Sequence, residues 1–309
     1  MTATALIPSG HVEGHPIERR MVRFDWSDTP AHWVPGDQFT SHVINVLHLL
    51  LPPGERWFIE VVNRARPLVK DAELQESIKP FIQQESWHAQ AHAMVLDHLA
   101  RQGIDTKPYT DRLEAMFAGW LGGEHANWPG PLRRFWGRRN LAAVAAIEHF
   151  TAVLGHWILV NRALEEAGAD PEMIDLLRWH GAEEVEHRSL VLDVHQAVGG
   201  GWLQRTTQML LAAPMLAAWW VAGVRYLAAH DPKWSGPGPR WRDYWRAARE
   251  GRLPTARELL GGVPKYLKPS YNPSQEFSTE EALAYIARSP AAQAAAARRA
   301  SAPAEPAAD

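Results

Sequence analysis

Two Glu-x-x-His quartets, Glu85-Ser-Trp-His88 and Glu184-Val-Glu-His187, each put a carboxylate and an imidazole one helical turn apart on a common face. The pattern alone arises easily by chance, and its surroundings give it weight. Phe81, Glu85, His88, His92, Val95 and Leu99 recur at alternating steps of three and four, as do Met173, Leu177, His180, Glu184, His187, Val191 and Val194. A third stripe, Leu141, Val144, Glu148, Ala152, Gly155 and Leu159, centres a lone glutamate between apolar ends. A carboxylate on a core-facing stripe is costly unless it is paired or bound to metal. Carboxylates are hard, anionic ligands able to bridge two cations, and each imidazole adds a terminal nitrogen. The chemistry implied is a dinuclear metal site built from Glu, Glu-x-x-His, Glu and Glu-x-x-His on four helices.

The glutamate of the first helix has two candidates. Glu55 shares a face with Phe58, Ile59 and Val62 and mirrors Glu85 about the turn at 69–71, whereas Glu60 stands four residues before Arg64, the spacing of a surface ion pair. Glu55 is preferred; its plain alternative is a helix-start carboxylate favoured by the dipole. His42, His48, His149, His156 and His195 read as core histidines, and Glu183 and Glu186 as solvated or orienting groups. Trp87, Trp157 and Trp179 fall near the site and could shape a pocket.

Composition supports this donor set. The 309 residues contain 15 histidines, 15 tryptophans and no cysteine, so any metal must be held by nitrogen and oxygen. A net charge of −3 gives no reason to expect nucleic acid as a partner. The first twenty residues carry no apolar run of the secretory kind, and a cytoplasmic location is the default expectation.

The elements that must position the ligands read as all-α. Helices are expected over 38–51, ended by Pro52-Pro53, and over 54–69. A third follows Asp71 to about Gln102-Gly103, bent by Pro80, and a shorter one covers about 110–126. A long helix is expected over 132–166, closed by Gly168, and Asp170-Pro171 open the next, which reaches about Val198. The organisation is an irregular segment over 1–34 and a single helical domain over 35–289, followed by a disordered Ala/Arg/Pro-rich tail over 290–309. Within the domain lie the bundle (38–198), an apolar helix (203–229) and a Trp/Pro-rich appendix (231–289). The uncharged stretch 206–224 suits a buried or homodimer-interface helix, or one making peripheral membrane contact.

These motifs resemble the ferritin-like di-metal carboxylate superfamily, and more closely the bacterial family of predicted metal-dependent hydrolases. The resemblance rests on Pro53-Gly54-Glu55-Arg56, Gln84-Glu85-x-x-His88-x-x-x-His92, Ile147-Glu148-His149-Phe150-Thr151 and Trp179-His180-x-x-Glu183-Glu184-x-Glu186-His187, over roughly residues 35–230. His180, on the face of Glu184 and His187, makes a His-x-x-x-Glu-x-x-His helix similar to that of the di-iron arylamine N-oxygenases. That resemblance implies Glu55, Glu85, His88, Glu148, His180, Glu184 and His187 as ligands. His92 is then an eighth ligand or a hydrogen-bond partner of one.

The leading expectation is an enzyme with two divalent metal ions, iron foremost, and zinc or manganese as alternatives. It would activate O2, with an electron donor, to oxidise or oxygenate a small hydrophobic substrate. Hydrolysis by a metal-activated water is the second reading, and a non-enzymatic metal store or redox sensor the third.

Overall fold

The computed structural model describes residues 16–123 and 125–301, and among them every regular element is helical. In chain order the helices are α1 (Gln38–Ala65), α2 (Ala72–Arg101), α3 (Lys107–Met116), α4 (Gly130–Val160), α5 (Ala163–Glu166), α6 (Pro171–His187), α7 (Leu190–Ala197) and α8 (Trp202–His230). The C-terminal part adds α9 (Trp241–Arg249), α10 (Ala256–Leu260), α11 (Val263–Tyr266), α12 (Thr279–Ile286) and α13 (Pro290–Ser301). The helices α1, α2, α4 and α6 pack around a common core, an arrangement compatible with a four-helix bundle. Helix α8 lies against α1 and α4, and α12 covers α6 and α4.

Local chemistry sets the boundaries. Asp71 accepts from the Leu74 amide (2.9 Å) to start α2, and Asp170 accepts from the Met173 amide (3.0 Å) to start α6. Gly168 takes a positive φ of 76° in the turn before α6, as a helix-ending glycine can.

Several boundaries differ from expectation. Pro52 and Pro53 lie inside α1, which continues through them: they and Gly54 are buried, so packing holds the helical path despite two missing donors. The long helix expected to reach 166 stops at Val160, because buried Arg178 of α6 takes the carbonyls of Ile158 (3.1 Å) and Asn161 (2.5 Å). The Asn161 side chain then accepts from the Leu164 amide (3.2 Å), opening α5. The helix expected over 171–198 breaks between His187 and Leu190, where the Arg188 guanidinium turns to the Pro273 carbonyl (3.0 Å) and the Thr279 hydroxyl (3.0 Å). The expected 110–126 helix begins at Lys107 and widens into a π turn at Phe117–Leu121.

The expected disordered tail is also corrected in part. Pro290–Ser301 form α13, with Ala291 and Ala292 buried and the Ala291 amide donating to Asp175 (3.0 Å). Small alanines suffice there because they dock on an existing surface. Residues 302–309 of that tail, and 1–15 of the expected irregular segment, lie outside the described residues. Residues 16–37 form no regular element, yet bury Val22, Phe24, Trp26 and Trp33.

Two helices are long and apolar enough to cross a membrane by length and composition, Gly130–Val160 and Trp202–His230. The apolar window of the first is 72% buried within the chain and that of the second only 22%. Leu203, Leu210 and Leu211 of α8 stand exposed, while Met209, Ala212, Val224 and Leu227 pack inward.

One contact sets the register of the site. A Cβ on Gly155 of α4 would stand 2.5 Å from the Gly181 carbonyl oxygen of α6, and a Cβ on Gly181 would stand 2.6 Å from Gly155 Cα. The two backbones touch, and from that point the helices run antiparallel. One turn on, Thr151 meets Glu184; a further turn on, Glu148 meets His187. At an open helical position, Gly→Ala stabilises by about 1 kcal/mol. Here the sign reverses: Gly155→Ala or Gly181→Ala should destabilise by about 1–3 kcal/mol, the usual cost of overpacking, and lower metal content with it. Thermal denaturation checks this, and an unchanged or raised Tm would contradict the close contact.

Candidate metal centre

The four bundle helices each send carboxylate or imidazole groups into one buried cluster. Glu55 comes from α1, Glu85 and His88 from α2, Glu148 from α4, and His180, Glu184 and His187 from α6. None of the seven is more than 6% exposed. At one end, His187 Nδ1 lies 3.1 Å from Glu148 Oε2, and its Nε2 lies 3.1 Å from Glu85 Oε1. In the middle, His88 Nδ1 is 3.5 Å from Glu184 Oε1 and 3.7 Å from Glu85 Oε1. At the other end, His180 Nε2 is 2.8 Å from Glu184 Oε1 and 3.6 Å from Glu55 Oε1.

Two overlapping groups in the cluster could each hold a metal ion: Glu85, His88, Glu184 and His187, and then Glu55, His88 and His180. The fit to two cations can be tested on the atoms themselves. Both carboxylate oxygens of Glu55 and of Glu85, Glu148 Oε1, His88 Nδ1 and His187 Nε2 are buried with no well-formed hydrogen bond. Buried polar groups are rarely left so, and here they all converge on one place. Four carboxylates balance the charge of two divalent ions, and the all-oxygen-and-nitrogen donor set suits iron, manganese or zinc.

Protonation in the metal-free chain follows from the same crowding. Burial, and then the neighbouring Glu85, push the Glu55 carboxyl well above its ordinary range. Burial and Glu184 push Glu148 up to about 8. Burial opposes charge on the two central imidazoles, yet the carboxylates around them win. Glu183, Glu184 and Glu85 hold His88 well above its ordinary value, and Glu184, Glu148 and Glu85 do so for His187. Burial also opposes ionisation of Glu184, but His187, His180 and His88 keep its carboxyl well below the usual range. Without metal, protons on Glu55, Glu148, His88 and His187 offset the charge of the ionised carboxylates.

A surrounding layer of contacts fixes the ligands. His88 Nε2 bonds Glu183 Oε2 (2.9 Å), and Glu183 in turn accepts from Trp179 Nε1 (3.1 Å) and Arg20 Nη1 (3.0 Å). Arg20 also grips Glu186, which accepts from Gln84 Nε2 (2.7 Å). Such carboxylate–histidine pairs orient a metal-binding ring. On the far side His180 Nδ1 meets His92 Nε2 (2.6 Å), and His92 Nδ1 meets His48 Nδ1 (2.7 Å). Burial lowers the pKa of His48 to about 3 and that of His92 well below its ordinary value, so both stay neutral. Thr151 donates to Glu184 Oε2.

The structure thus brings together Glu55, Glu85, His88, Glu148, His180, Glu184 and His187. It leaves Glu60 outside, on the surface, paired with Arg64 at 3.0 Å. His92 touches His180 rather than the cluster's centre. Glu183 is fully buried and Glu186 nearly so at its side chain, so neither is solvated. Spacing could not reveal Arg20, which sits far away in sequence on an irregular segment. His48 and Thr151 were visible as residues but carried no periodic signal. His42, His149 and His156 find other partners: Asp231 (2.9 Å), Tyr271 (3.1 Å) and the ring of Phe277. Trp179 stacks edge-on to His88 within the core, and Trp157 lines a cavity beside the site.

A family model described as predicted metal-dependent hydrolase matches residues 18–276. The chain belongs to that family. The match spans all seven clustered residues and also Arg20, and metal dependence is what its description and the cluster have in common. No curated protein and no solved structure was found to match the chain.

Replacing Glu148 or His187 by Ala should abolish binding of at least one metal ion per chain, and Glu55→Ala should do likewise. Glu60→Ala should leave metal content unchanged; loss in Glu60→Ala with retention in Glu55→Ala would reverse the assignment. Because Glu148, His88, His187 and Glu55 hold protons that a metal must displace, apparent affinity should rise as pH is raised toward the Glu148 value of about 8, with measurable proton release. A pH-independent affinity would contradict this.

Proposed function

We propose that the chain is a dinuclear metal enzyme, with iron as the working metal, that uses O2 to oxidise or oxygenate a small hydrophobic substrate. One observation carries this reading. Two members of the cluster, His180 and Glu184, line an apolar cavity of about 470 Å³, with Thr151 beside them. The walls are Phe39, Val43, Leu47, Leu216, Trp220 and Val221. Cavities of this size and character take small organic ligands. When bound, a pair of redox-active ions supplies O2 reduction and the oxidising power for an unactivated bond, with electrons from a donor.

The chain's own groups perform the rest. The apolar wall binds substrate by burial and keeps bulk water from the deep end. His92 holds the Nδ1 edge of His180, leaving its Nε2 toward Glu184 and Glu55. Glu183 does the same for His88, leaving its Nδ1 toward Glu85 and Glu184. Thr151, bonded to Glu184 and lining the cavity, is placed to relay a proton between that carboxylate and a bound molecule.

Hydrolysis is the second reading, supported by the family's description. Two divalent ions can activate water and polarise a carbonyl, and the same cavity would then hold a hydrophobic ester or amide. A metal store or redox sensor has no use for an apolar cavity beside the metals.

Anaerobic loading with Fe(II), then exposure to O2 under absorbance monitoring, separates the readings. The oxidase reading expects about two irons per chain and an O2-dependent near-ultraviolet band. Two irons inert to O2, with zinc- or manganese-loaded protein cleaving hydrophobic esters, would replace it with hydrolysis.

A further inference from the structure

The cavity has two chemically different ends. Its deep end is made of buried groups, among them His180, Glu184, Gly181 and Leu177. Its rim is made of exposed ones: Trp241 is 64% exposed, Leu260 53% and Trp245 50%. Between them the lining is aliphatic and aromatic. Two of the polar groups in the wall are already used: Trp220 Nε1 donates to the Val43 carbonyl (2.8 Å), and the Tyr244 hydroxyl donates to the Pro254 carbonyl (2.9 Å). A ligand's middle portion therefore meets a largely apolar wall, where stranding a charged group is costly.

Charge appears again only at the rim, and it is of one sign. Arg225 of α8 and Arg240, immediately before α9, both line the cavity and both are exposed. Neither forms an ion pair among the described residues, whereas Arg252 pairs with Asp37 (3.0 Å). No acidic side chain lines the rim; the single acidic lining residue is Glu184 at the floor.

From this polarity we infer that the cavity binds a single-chain amphiphile with an anionic head, the head held by Arg225 and Arg240 and the apolar end laid against the metal centre. The inference rests on the cavity being the substrate's route to that centre, as proposed above. Two guanidinium groups favour an anion through charge-assisted hydrogen bonds, and either a carboxylate or a phosphate satisfies them. The tryptophans at the rim suit the boundary between an apolar tail and a wet head. The orientation also fixes which part of the molecule reacts: the region remote from the charged head, and not the head itself.

Calorimetric titration of the full chain, metal-free and metal-loaded, with hexadecanoate, hexadecyl phosphate and hexadecan-1-ol tests this. Both anions should bind about tenfold more tightly than the alcohol. The double variant Arg225→Gln/Arg240→Gln should narrow that advantage to about twofold while leaving alcohol binding and metal content unchanged. Ala217→Trp, which places a ring in the cavity, should weaken all three ligands. Equal binding of alcohol and anions by the wild-type chain would overturn the inference, as would an intact anion preference in the double variant or unimpaired binding in Ala217→Trp. Two metals with no anion preference would sink this inference alone. Preserved anion binding in a chain that takes up no metal would sink the proposed function and leave the binding site.

Discussion

Four carboxylates buried together in a helical core are the constraint from which the rest follows. An unpaired buried carboxylate costs several kcal/mol, and four in mutual contact repel one another as well. Only countercharge at the same place makes such a core stable: protons on imidazole and carboxyl groups without metal, and divalent cations with it. The site and the fold are therefore one problem. The apolar stripes on either side of Glu85, Glu148 and Glu184 supply the burial that makes the cluster both costly and effective.

Geometry must then be held tightly, and the chain does so at two ranges. At short range the backbone contact of Gly155 with Gly181 draws α4 and α6 together, so that Thr151 reaches Glu184 and Glu148 reaches His187. At longer range the outer partners fix the rings. Arg20 and Trp179 hold Glu183, which holds His88; His48 holds His92, which holds His180. Each chain of contacts ends on a donor nitrogen facing the cluster. Helix α8 plays a different part, since one face closes the apolar cavity over the cluster while another stays exposed.

Much of this was legible in sequence because helical periodicity preserves neighbourhood. Residues three and four apart share a face, so Glu85 with His88, and His180 with Glu184 and His187, could be read as groups. Asp71 and Asp170 announced helix starts through short-range chemistry that depends on only a few following residues. What periodicity cannot carry is contact between distant segments. Arg20 meets Glu183 from an irregular stretch, and Arg178 ends α4 by bonding its carbonyls from another helix. Pro52 and Pro53 misled for the same reason: their local preference was overridden by packing that only the folded chain reveals. The cavity was invisible too, because its walls come from α1, α4, α8 and the segment around α9 and α10.

The central claim is that the buried cluster holds two metal ions at once. It is tested most directly by metal titration of the metal-free full chain under native mass spectrometry. The account predicts two mass steps of divalent metal, saturating at about two ions per chain. Saturation at a single ion, or no specific uptake at all, would contradict it.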